Sequence, residues 1–88
     1  MPNAMHRCHN VVFCLLLTIA RERSGLTQAQ VAKKLKKPQS YVSKYERGER
    51  RLDFSEFLEI AEILGIDISN FVDTYRLSLI TPKESLRK

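Results

Sequence analysis

Three residues, Lys36-Lys37-Pro38, separate two short amphipathic segments, and the shortness of that connection limits the fold more than any other feature of the chain. Upstream, Gln28, Val31, Ala32 and Leu35 recur at helical intervals. Downstream, Val42 and Tyr45 share one face of a helix, while Gln39, Ser40, Ser43 and Lys44 share the other. A link of about three residues cannot fold two such helices back along each other as an antiparallel pair, so it forces a sharp corner. Pro38 suits the first turn of the second helix, where its missing N–H costs nothing.

The remaining punctuation is also helical. Gly25, Gly48 and Gly65 each follow an apolar-periodic segment, where a left-handed residue ends a helix. Thr27 with Gln30 and Asp53 with Glu56 have capping-box spacing, and Leu26 with Val31 and Leu52 with Phe57 have the spacing of hydrophobic staples. These signals predict five short helices over residues 11–24, 28–35, 39–47, 54–64 and 68–76. No segment alternates with period two, so the expected fold is an all-α bundle around one small core, the size that 88 residues allow. Residues 1–10 read as a flexible N-terminal tail and 11–76 as the domain. Residues 77–88 read as an extension that either dimerises or is partly disordered.

Charge is segregated along the chain. Residues 33–51 carry eight cations against Glu46 and Glu49, whereas residues 53–73 carry six carboxylates and no cation. That division predicts one face that attracts a polyanion and another turned away from it. Two cysteines, Cys8 and Cys14, are too few for a disulfide framework, so a reduced, cytoplasmic protein is the expectation. His6, Cys8, His9 and Cys14 lack the paired spacing of a metal site, so no metal or cofactor is expected. The apolar run "VVFCLLLTIA", residues 11–20, is shorter than the roughly 20 residues of a membrane span and lacks a small-residue cleavage site. It reads as a buried helix whose apolar circumference is too wide for one small core, so that "LSLI" at 77–80 or a second subunit covers part of it.

The stretch "LTQAQVAKKLKKPQSYVSKYERGERRLDFSEFLEIAEILGI" resembles the phage repressor and Cro-type, XRE-like, helix-turn-helix family. The resemblance covers Leu17 to Phe71 and is carried by "GLTQ", Ala32, the spacing of Glu46 and Gly48, and "IAEILGI". Lys36 stands where the family often has glycine, and so is expected to take a left-handed conformation. The resemblance implies that the helix beginning at Gln39 lies in the DNA major groove. Gln39 would then pair with adenine, Ser40 and Ser43 would let the backbone approach, and Lys44 would reach guanine or a phosphate. Gln28 matches the family glutamine that touches the backbone and braces the reading helix, its N–H sitting at a positive helix end. Tyr41, Arg47, Arg50 and Arg51 are assigned to phosphates, with Lys33, Lys34 and Lys37 adding to the field. Arg21 and Glu46 match positions that form an ion pair between the first and third helices.

One reading helix spans too few base pairs to single out a site in a genome, and a dimer on a two-fold operator is the usual remedy. Ile68, Phe71, Val72, Tyr75, Leu77 and Leu79 exceed the needs of one small core and are the expected dimer contacts. The function expected is a sequence-specific transcriptional regulator, a repressor that occupies a palindromic operator. With no ligand-binding domain after residue 80, its regulation would act through protein concentration or a partner chain. Two alternatives use the same fold: an antitoxin-like autoregulator with a protein partner, and an interaction module that does not read DNA. An enzyme is not expected, because both histidines precede the predicted helices and no nucleophile, base and orienter assemble from the rest.

Overall fold

Each helix starts and stops where the chain supplies a cap. The computed structural model describes residues 4–79, with side chains described from His9 onward. Along it lie α1 (Ala4–Ser24), α2 (Gln28–Leu35), α3 (Gln39–Glu46), α4 (Phe54–Leu64) and α5 (Ile68–Ser78), with no strand among the described residues. The Thr27 hydroxyl accepts from Gln30 N at 3.1 Å while the Gln30 side chain accepts from Thr27 N at 2.8 Å. Asp53 and Glu56 repeat this reciprocal arrangement at the head of α4.

The corner between α2 and α3 is closed by Lys36, a non-glycine residue at φ 60°, ψ 42°. Lys37 N donates to Ala32 O at 2.9 Å and Lys36 N to Lys33 O at 3.1 Å, which satisfies carbonyls at the end of α2. Pro38 directly precedes α3 as its extended N-cap, at φ −69°, ψ 155°. Its carbonyl accepts from Tyr41 N at 2.9 Å.

α1 begins at Ala4 and not near residue 11, so most of the segment expected to be a tail continues the helix. No glycine or proline interrupts residues 4–24 to stop it. α5 likewise runs two residues beyond the expected 76, to Ser78, whose hydroxyl donates to Thr74 O at 2.8 Å. α3 ends one residue early, with Arg47 as its cap.

The core draws Leu17 from α1, Val31, Ala32 and Leu35 from α2, Val42 and Tyr45 from α3, and Phe57, Ile60, Ala61 and Leu64 from α4. On its α5 side, Phe57 meets Phe13 at 5.5 Å and Phe71 at 5.1 Å between ring centroids, and such tilted pairs each add about 0.5–1.5 kcal/mol beyond area burial. Ile68 and Phe71 are thus taken up by the chain's own core. The wide apolar face of α1 is only partly covered: Val11 and Leu15 remain 62% and 55% exposed, and Leu77, expected to help cover it, is itself 69% exposed. Ile80, the last residue of that expected cover, lies outside the described residues.

Candidate nucleic-acid interface

Two buried residues orient α3. Val42 is 0% and Tyr45 1% exposed, which fixes the opposite face toward solvent. On that face Gln39, Ser40 and Lys44 are exposed and Ser43 is half-buried. The short side chains at 40 and 43 lie between the longer ones at 39 and 44, so a flat ligand edge can approach the helix backbone.

A polar chain ties this face to the other two helices. Arg21 donates from Nε to Glu46 Oε2 at 2.7 Å and from Nη2 to Oε1 at 3.3 Å. Its Nη1 donates to Leu26 O at 3.0 Å, which anchors the end of α1 to the residue before the α2 cap. Gln28 Nε2 donates to Glu46 Oε1 at 2.9 Å, and Gln28 Oε1 accepts from Gln39 Nε2 at 3.5 Å, the long limit of a hydrogen bond. The carboxylate of α3 therefore holds α1 and α2, and Gln28 passes that constraint to the first residue of α3. Gln39 keeps its amide oxygen and a second N–H for a ligand, a donor and acceptor that match the adenine edge. Hydrogen bonding to Glu46 raises the Arg21 guanidinium above its already high range, so it stays charged.

The cations flanking the face are less free than their sequence indicates. Arg47 forms two hydrogen bonds to Glu49, at 2.9 and 3.0 Å, and a third to Ser43 Oγ at 2.5 Å. Arg50 Nη2 lies 2.7 Å from Glu56 Oε2, and its guanidinium stacks 4.8 Å from the Tyr41 ring centroid. Lys37 Nζ lies 5.3 Å from the same ring. Tyr41 is therefore half-buried between two cations, and desolvation chiefly pushes its phenol above the usual range, so its hydroxyl stays protonated and able to donate. Arg51 is exposed and makes no hydrogen bond among the described residues. Arg47 and Glu49 form an exposed ion pair whose attraction is screened by solvent.

The bracing carboxylates Glu49 and Glu56 and the stacking of Lys37 on Tyr41 were not read from the sequence. Glu56 had a signal, since the second oxygen of a capping-box glutamate is free to accept elsewhere; Glu49 had none, because its loop obeys no periodic rule. Of the residues expected at a dimer contact, Val72 and Leu77 are exposed, Tyr75 and Leu79 are half-buried, and Tyr75 meets His9 at 6.2 Å between ring centroids.

Cys14 is buried, and desolvation pushes its thiol above the usual range, which leaves it protonated and a poor ligand. Among the described residues no group of three or more His, Cys, Asp or Glu is placed to hold a metal ion. No helix among them is long and apolar enough to cross a membrane.

Residues 17–71 match the protein family described as Helix-turn-helix, a span that takes in the end of α1, the α2–α3 corner, all of α4 and the start of α5. A search of curated proteins finds no match. The match covers more than half of the chain and coincides with the corner, the buried Val42 and Tyr45, and the outward polar face of α3. On these grounds the chain belongs to the XRE-like helix-turn-helix family of DNA-binding transcription regulators.

Proposed function

We propose that the protein is a sequence-specific repressor that binds a palindromic operator in double-stranded DNA as a homodimer. The observation that carries this reading is the amide of Gln39, held at the solvent face of α3 by Gln28, which is itself held by Glu46. Such a contact, though long at 3.5 Å, orients a bidentate group before the ligand arrives, which lowers the ordering cost of binding. Gln39 and Lys44 read base edges, while Ser40 and Ser43 admit the backbone. The Gln28 N–H at the start of α2 and the side chains of Tyr41, Arg47, Arg50 and Arg51 take phosphates.

Dimer contacts through α5 bring two reading helices to half-sites about 34 Å apart. Their support is the exposed Leu77 and the exposed Val72, the latter lining an apolar groove of about 340 Å³ together with Phe54, 69% exposed. Ile68 and Phe71 contribute by positioning α5, since both pack inward.

Selection of bound fragments from random duplex DNA tests the whole reading. The expected result is a two-fold motif, with log affinity falling by about 0.9 per neutralised phosphate against log salt. Gln39→Ala should relax the choice of base at one position of each half-site by about 1–3 kcal/mol. No enriched motif, with weak and salt-insensitive binding, would leave the interaction module as the better account.

A further inference from the structure

The half of α1 ahead of the family match carries Val11 and Leu15, four residues apart and so stacked on one face of the helix. Single exposed aliphatic residues are ordinary on protein surfaces. These two, however, line a cleft of about 490 Å³ whose opposite wall is the α3–α4 turn, with Arg47 and Arg51 among its residues. The turn is held close to α1: a Cβ on Gly48, at φ +80°, would lie 3.2 Å from Asn10 Nδ2 and 3.8 Å from Cys14 Sγ. One side of the cleft is thus an aliphatic stripe on a long helix; the other carries the exposed Arg51 and Arg47, the latter paired with Glu49, while Glu46, which also lines the cleft, is taken up by Arg21 and Gln28.

That combination selects its occupant. DNA backbone satisfies the guanidiniums but makes no use of two exposed aliphatic side chains. A second copy packed on the same face would set Arg47 and Arg51 of both copies against one another, a like-charge arrangement that disfavours pairing. We propose that the cleft docks an acidic amphipathic helix of a partner protein. Its apolar residues seat on Val11 and Leu15 and its carboxylates reach Arg47 and Arg51, the helix-in-groove mode with complementary charge. The proposed DNA-binding role assigns both arginines to phosphates, so on that role, and in this respect alone, the partner and DNA compete.

A display library of amphipathic helical peptides about 15–20 residues long, a length at which isolated helices begin to hold, is panned against the full chain with the polar positions randomised. The expected winners carry Asp or Glu beside apolar residues at three- and four-residue spacing. Their affinity should fall at least about tenfold with Val11→Asp, with Leu15→Asp and with Arg51→Glu. All three positions are exposed, and circular dichroism of each variant checks that the fold is kept. A winning peptide in which one Glu is changed to Lys should recover binding to Arg51→Glu. Enrichment of basic or uncharged peptides, or binding indifferent to Val11→Asp and Leu15→Asp, would overturn the proposal. So would sedimentation showing that the chain self-associates and that Val11→Asp abolishes the association. A labelled random duplex should be displaced by the winning peptide, and simultaneous binding of both would refute the competition. A chain that takes the peptide but no duplex at low salt would overturn the DNA reading and leave the docking surface standing.

Discussion

Removing the Glu46 carboxylate uncouples three helices at once. Its side chain is 6% exposed and that of Arg21 14%, and together with Gln28 they place three donor contacts on two oxygens. Breaking one member of a buried pair costs about 3–5 kcal/mol, because the other charge stays buried without its partner. Arg21 retains Leu26 O and some contact with water, which places Glu46→Ala near about 3 kcal/mol, with about 0.5–1 kcal/mol more for the acceptor lost to Gln28. For a domain whose total stability is about 5 kcal/mol or little more, that leaves a marginal fold. Urea unfolding followed by far-UV circular dichroism, on Glu46→Met, Arg21→Met and the double variant, isolates the pair. The double variant should be at least about 2 kcal/mol more stable than the sum of the single losses implies. Losses that simply add, or a Glu46→Ala cost under about 1 kcal/mol, would show that the pair behaves as a surface ion pair and does not brace α3.

Tyr45 is 1% exposed, and among the described residues its hydroxyl has no hydrogen-bond partner. An unpaired buried hydroxyl costs about 1–3 kcal/mol, so Tyr45→Phe should raise the thermal midpoint, and a marked fall would reveal a partner. Lys36→Gly should stabilise by about 0.5 kcal/mol, since removing a left-handed strain of about 1–2 kcal/mol exceeds the entropy cost of glycine; a loss in a thermal melt would refute this. The Asp53 backbone N–H, with Arg50, holds the Glu56 carboxyl below its ordinary range. The depressed value means that its contribution is present above the unfolded pKa of about 4.3 and is lost as pH falls through the folded one. Glu56→Gln should therefore show a shallower loss of stability toward acid in urea midpoints measured across pH, and an unchanged slope would count against the contact.

Local signals in this chain were legible because they act within one helical turn. The capping boxes at Thr27 and Asp53, the left-handed stop at Lys36 and the inward spacing of Val42 and Tyr45 all depend on residues three to five positions apart. The start of α1 was less legible. Residues 1–10 read as a tail, yet helix propagation needs only that nothing interrupt it. Legibility failed again for α5, where Ile68 and Phe71 looked surplus to one core. Their inward packing depends on Phe13 and Phe57, 58 and 14 residues away from Phe71 in sequence.

By itself, the order of residues determined the five helices, the sharp corner at Lys36 to Pro38 and which face of α3 is polar, because caps, periodicity and a short linker are local constraints. Only the tertiary structure decided that Glu46 joins Arg21 to Gln28, that Glu49 and Glu56 occupy two of the arginines, and that Val11 and Leu15 stay uncovered. Those outcomes depend on how helices distant in sequence pack, which sets the distance between side chains that no periodic rule relates.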